Sequence, residues 1–173
     1  IVIKENPGPY NIRYIKCDVS NHEEMLKCVE TVVKDYGKID CLINNIGVHP
    51  PSISIENYSI EKFNNLMNLN LTSAYALSKY VYEYLKKTKG TIINVSSMVG
   101  IFGQEYAVAY CASKAGIIGL TKSLAIEAAA HGIRVNCVSP SNVKTLAMDN
   151  WLASVPNPSE LKRSIESVQV IKR

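Results

Sequence analysis

Short apolar runs bounded by turn residues alternate with longer stretches of helical period, the pattern of βα units around a buried parallel sheet. Residues 11–19 read as the first strand. Ser20 with Glu23 three positions on makes a capping box, and Met25, Leu26, Val29, Val32, Val33 and Tyr36 form the apolar stripe of a helix that Gly37 stops. Residues 39–44 (IDCLIN), 91–96 (TIINVS) and 134–139 (RVNCVS) are strand-length apolar runs. Between them lie two long helical segments, 59–87 and 106–130, the first ended by Gly90 and the second closed by His131-Gly132. After Pro140 the chain turns polar and proline-punctuated, with one more helix expected over 159–168, entered through Pro158.

Composition fits one globular domain over residues 1–173: 47% of the residues are hydrophobic, enough for a sizeable core without disulfides or metal. The net charge of +4 comes from 15 Lys and 4 Arg against 15 acidic residues, with no basic run longer than Lys86, Lys87 and Lys89. That spread argues against nucleic-acid binding, which favours clustered Arg and Lys on one face. The five cysteines form no CxxC pair, so they read as reduced, packed thiols of a cytoplasmic compartment, and no metal site is expected. No uncharged window reaches the ~20 apolar residues of a membrane span.

Tyr110 and Lys114 stand four apart in the second long helix, about 40° apart around its axis, so both side chains leave one face. The spacing alone is weak, because Tyr58/Lys62, Tyr75/Lys79 and Tyr82/Lys86 share it. What separates the pair is the residue thirteen positions before the tyrosine: Ser97, a hydroxyl at a strand end, against Asn45, Lys62 and Leu69 for the others. A hydroxyl, a phenol and a cation at one strand–helix junction suit proton transfer coupled to oxidation of an alcohol. A phenol of ordinary pKa ~10 is a poor base at neutral pH. A neighbouring ammonium is expected to lower it, and Ser97 can donate to the substrate oxygen.

With these residues in this order, the chain resembles the short-chain dehydrogenase/reductase family from about residue 11 onward. The signatures are Asp18-Val19 after a strand, Asn44-Asn45-Ile46-Gly47, Asn70 in the long helix, Ser97, Tyr110 with Lys114, and Pro140 to Thr145. The resemblance implies an α/β Rossmann-like, doubly wound parallel sheet and a catalytic set of Asn70, Ser97, Tyr110 and Lys114. It also implies that a nicotinamide cofactor is bound by Asp18, Val19, Asn44, Gly47, Tyr110, Lys114, Pro140, Val143 and Thr145. Lys114 would reach the nicotinamide ribose, Asn70 would position a water leading from Lys114 to solvent, and Asp18 would meet the adenine. Ile46 and Ser141 replace the family's usual Ala and Gly, which adds bulk near the cofactor.

Closer similarity to the hydroxysteroid dehydrogenases of the family rests on the stretches 44–51, 99–104 and 135–140. It implies an NAD-dependent, cytoplasmic homotetramer acting on secondary alcohols of steroids, at a 17β-hydroxyl, or of sugars such as L-fucose. His49 and Gln104 would line the substrate pocket, and helices 59–87 and 106–130 would form the subunit contact. NADP stays open as coenzyme, and a 3-oxoacyl carrier-protein reductase is an alternative activity. Residues 1–10 lack the family's Gly-rich turn, Gly8 being flanked by Pro7 and Pro9, and the usual closing strand is missing after Arg173. The sheet is therefore expected to be incomplete, lacking its first and last strands, and NAD binding by the 173 residues alone to be weak. A non-catalytic relative that pairs with full-length subunits is the contrasting reading.

Overall fold

The computed structural model describes residues 12–153 and 155–167; the expectations for residues 1–11 and for Val168 lie outside them. The chain divides into two compact units, Ile1–Ser139 and Pro140–Arg173. The first holds a three-stranded parallel sheet in the order β1 (Cys41–Asn44), β2 (Thr91–Val95), β3 (Arg134–Val138). Asn44 registers against Asn94 and Asn94 against Cys137.

Between β1 and β2 runs one long helical rod: α2 (Ile60–Met67), a π-turn (Asn68–Thr72) and α3 (Ser73–Thr88). At the π-turn the Ser73 N–H bonds Asn68 O, five residues back. Between β2 and β3 come the one-turn α4 (Val99–Phe102) and α5 (Val108–Ala129). Both crossovers run in the same direction, and right-handed connections then put α3 and α5 on the same face of the sheet. Burial follows. Leu42, Ile92 and Val135 sit in register on the covered face, and the core there joins Val29 of α1 (His22–Tyr36), Val81 and Leu85 of α3, Ile92, Ala128 of α5 and Val135. On the other face Ile43 remains 60% and Val138 48% exposed among the described residues.

Several expected boundaries move. Residues 13–18 form no strand: they run as coil, tied to α1 by the Arg13–Asp35 ion pair, with no ladder partner for their backbone among the described residues. Asn21, not Ser20, caps α1, accepting from Glu23 N and Glu24 N. Ser20 instead bonds Asp18 Oδ1 through both its N–H and its hydroxyl. Met25 and Val29 are buried as the stripe requires, whereas Leu26 and Tyr36 stay exposed. Lys89, at φ 51°, takes the left-handed cap of α3 ahead of Gly90. Gly90 is needed for packing, since a Cβ there would lie 2.6 Å from Asp40 O. Helix α5 starts at Val108, because Tyr106 takes φ 57° and turns the chain first.

The second unit holds α6 (Leu146–Ala153), whose weak periodicity gave no sequence signal, and α7 (Pro158–Ser167). Thr145 Oγ1 accepts from Met148 N and caps the start of α6. Among the described residues no helix is long and apolar enough to cross a membrane, and no cluster of His, Cys, Asp or Glu could hold a metal ion.

Candidate active site

Three carboxyl-end features of the parallel strands converge: the segment 45–49 after β1, Ser97 after β2, and the first turns of α5. Open α/β sheets bind ligands at such strand ends. Tyr110 and Lys114 leave α5 on one face, with Lys114 Nζ 5.8 Å from the centre of the Tyr110 ring. Ser97 lies close enough to the Tyr110 hydroxyl to favour its ionised form. The three residues singled out by spacing are therefore brought together.

Burial dominates their electrostatics. It raises the Tyr110 pKa above its usual 10, against the opposing effect of Ser97, and it lowers that of Lys114. The sequence-based expectation that Lys114 lowers the tyrosine pKa is not met here: burial is the largest influence on the phenol, and the ammonium, 5.8 Å from the ring centre, spends one hydrogen bond on Val95 O at 2.9 Å. Lys114 is 4% exposed, and no described carboxylate pairs with it. Two of its three N–H donors find no acceptor among the described residues. Gly47 keeps that space open, because a Cβ there would stand 2.9 Å from Lys114 Nζ. A vicinal diol such as a cofactor ribose is the kind of acceptor that fits.

Asn70 is placed by the π-turn, 1% exposed. Its Oδ1 accepts from Val48 N at 2.9 Å, and its Nδ2 donates to Val48 O at 3.0 Å and to Ser113 Oγ at 3.2 Å. This double clamp holds the 47–49 segment against α5. His49 lies with its ring centre 4.2 Å from that of Tyr110, and its Nδ1 donates to Pro50 O at 2.8 Å. Its Nε2 is 3.4 Å from Gln104 Oε1. A neutral ring then requires the Gln104 amide to turn its NH2 toward Nε2. The pair expected to line the substrate pocket thus meets beside the phenol.

The remaining cofactor residues are spread more widely. Asn44 points its side chain to the helix side of the sheet, where Nδ2 donates to Asn94 Oδ1 at 2.8 Å, Ser78 Oγ and Ala74 O, and its buried Oδ1 has no partner. Only its backbone faces the strand end. The Val19 side chain packs into a core with Met25 and Ala76. Asp18 is exposed, its pKa lowered by the Ser20 hydrogen bonds. Pro140, Val143 and Thr145 belong to the second unit, Val143 55% exposed and Thr145 engaged in the α6 cap.

Sequence reasoning passed over Ser96 and Ser113. Ser96 Oγ donates to Lys114 O at 2.7 Å, and Ser113 Oγ donates to Tyr110 O while accepting from Asn70. Their signal was adjacency: each lies beside a site residue, Ser97 or Lys114, at a position that faces inward. Gly100 of α4 was missed too, although a Cβ there would lie 2.8 Å from the Lys114 carbonyl carbon.

A one-faced parallel sheet with a serine, tyrosine and lysine at its strand ends is the arrangement of a Rossmann-like oxidoreductase. The short chain dehydrogenase family matches residues 2–155, and the chain belongs to that family. It is 37% identical over 172 residues to an L-fucose dehydrogenase of Bos taurus, covering 99% of this chain and 63% of the relative. Among solved structures, an NAD+-bound xylitol dehydrogenase matches at TM-score 0.82 and 29% identity, over 91% of this chain and 65% of that one. ElxO with NADP bound matches at TM-score 0.82 and 30% identity, over 92% and 63%. The chain spans 53–63% of the length of the L-fucose dehydrogenases that it matches.

Proposed function

We propose that this chain carries the catalytic residues of an enzyme that moves hydride between a nicotinamide cofactor and a secondary alcohol or its ketone. The observation that carries the reading is the cluster of half-buried Ser97 and Tyr110 with buried Lys114, two of whose N–H donors find no acceptor among the described residues and face the gap left by Gly47. The nicotinamide supplies or accepts the hydride when bound. Tyr110 exchanges a proton with the substrate oxygen, Ser97 donates a hydrogen bond to that oxygen, and Lys114 holds the ribose hydroxyls. Asn70 fixes the segment 47–49 through Val48, so Gly47 and His49 keep their places. Asp18, Val19 and the Asn44 backbone complete the cofactor contacts of the first unit in this reading. NAD and NADP are both candidates, since the matched structures hold one or the other.

The substrate classes are sugars such as L-fucose, supported by the name of the bovine relative, and steroid 17β-alcohols. His49 and Gln104 line the substrate side. The enzyme works as a cytoplasmic homotetramer in which α3 and α5 pair with their counterparts, a reading supported by Ile126 of α5 at 81% and Tyr75 of α3 at 53% exposure.

The test is Tyr110→Phe in the gene's full product, with turnover followed by NAD(P)H absorbance. Loss of the proton-transfer group is expected to lower kcat by at least ~10²-fold. Turnover within threefold of wild type would sink the reading.

A further inference from the structure

Beside Tyr110 lies a cavity of about 290 Å³, lined by neither Ser97 nor Lys114, that none of the motifs above accounts for. Its walls include Pro50, Ile53, Phe63, Tyr106 and Val108, and it shares Tyr110 with the catalytic cluster. No charged side chain lines it, and its only side-chain polar atoms are phenol oxygens, of Tyr58, Tyr106 and Tyr110. The cavity is joined to the site by two bonds. His49 Nδ1 donates to Pro50 O at 2.8 Å, fixing the proline wall behind the imidazole that meets the Tyr110 ring at a 55° tilt. Ile53 N–H donates to Tyr106 O at 2.8 Å, tying the loop after β1 to the turn that opens α5.

That turn is strained. Tyr106 holds φ 57°, a conformation that bulky residues rarely adopt. Such strain persists where surrounding structure enforces it and marks sites of function. Glycine would make the same turn at less cost, so the ring itself has a use at this place: it forms a wall of the cavity.

We infer that this cavity is a substrate subsite that takes an apolar ring or short chain attached to the carbinol carbon, with Tyr106 and Val108 as specificity-determining residues. The inference rests on the dehydrogenase reading and sets against its sugar and steroid candidates a third class, a smaller apolar alcohol. The cavity is open on one side, with Tyr106 53% and Val108 50% exposed, but its inner wall offers the hydroxyls of a polyol few partners. Ligand pockets run from about 300 to 1,000 Å³, so this one holds one ring or a few carbons, not a four-ring skeleton. The favoured substrate is thus a secondary alcohol with a compact apolar substituent.

The experiment compares 2-butanol, 4-phenyl-2-butanol and L-fucose as substrates of the full gene product, in wild type, Val108→Trp and Tyr106→Gly. Tyr106→Gly relieves the strain and removes the wall; Val108→Trp fills the space. Wild type is expected to favour the phenyl alcohol over 2-butanol by at least tenfold in kcat/KM. Both variants are expected to cut that ratio by at least tenfold, chiefly through KM, the scale on which small hydrophobic differences discriminate. In parallel, 4-phenyl-2-butanol is titrated into wild-type protein carrying labelled isoleucine δ1-methyls, where the resonances of Ile53, Ile55 and Ile60 are expected to move.

A ratio unchanged in both variants, or preferred oxidation of L-fucose that is indifferent to them, overturns the subsite while leaving the dehydrogenase reading intact. Absence of methyl shifts at those three residues overturns it as well. Methyl shifts without oxidation of any alcohol would overturn the dehydrogenase reading and, with it, the assignment of the cavity to a substrate.

Discussion

At Tyr110 and Lys114 burial works against charge on both partners, raising the phenol and lowering the ammonium. Without cofactor, Tyr110 is a proton donor across the neutral range. A folded-state pKa above the unfolded value of 10 means that this group's contribution to stability is complete below pH 10 and is lost as pH rises through the folded value. Lys114 runs the other way, its contribution present above 10.5 and lost as pH falls through its depressed value. The difference in 295 nm absorbance between cofactor-free wild type and Tyr110→Phe should therefore titrate with a midpoint above 10. A midpoint near neutrality in the absence of cofactor would contradict the burial argument. The trio itself was legible because helical period fixes Tyr110 and Lys114 on one face and Ser97 ends a strand. The inward commitment of Asn44 was not, since a four-residue strand does not tell from sequence which face its last side chain takes.

Among the elements, α4 matters beyond its four residues. It packs on the backbone of α5 at Gly100, where a Cβ would meet Lys114 C at 2.8 Å and Ala115 N at 2.9 Å. Backbone cannot turn aside as a side chain can. Gly100→Ala is expected to cost about 1–3 kcal/mol in urea unfolding, the usual range for overpacking, and to reduce turnover as well by shifting Lys114. A stability change under 0.5 kcal/mol would show that the contact relaxes freely. Strands β1 to β3 and both long helices were readable from apolar period, boundaries aside. Residues 13–18 were not, because an apolar run says nothing about whether a neighbouring strand is there to pair with it. Helix α6 escaped because its apolar residues follow no single stripe.

For the molecule as a whole, α3 and α5 cover one sheet face, while Ile43 and Val138 on the other stay open to solvent. The long helices also keep outward apolar residues. If these form the subunit contact, Ile126→Glu should move sedimentation of the full gene product from tetramer toward smaller species; an unchanged distribution would place the contact elsewhere. Finally, the π-turn of residues 68–72 constrains the gene in a way that composition does not. Removing one codon there would restore an unbroken α-helix and leave the turns on either side nearly in phase, because the π-turn is where the helix absorbs one extra residue. The rod would keep its registry with the sheet, but Asn70 would lose its place against Val48. This segment should therefore tolerate changes of residue far better than changes of length, and surviving insertions or deletions in related genes should avoid it.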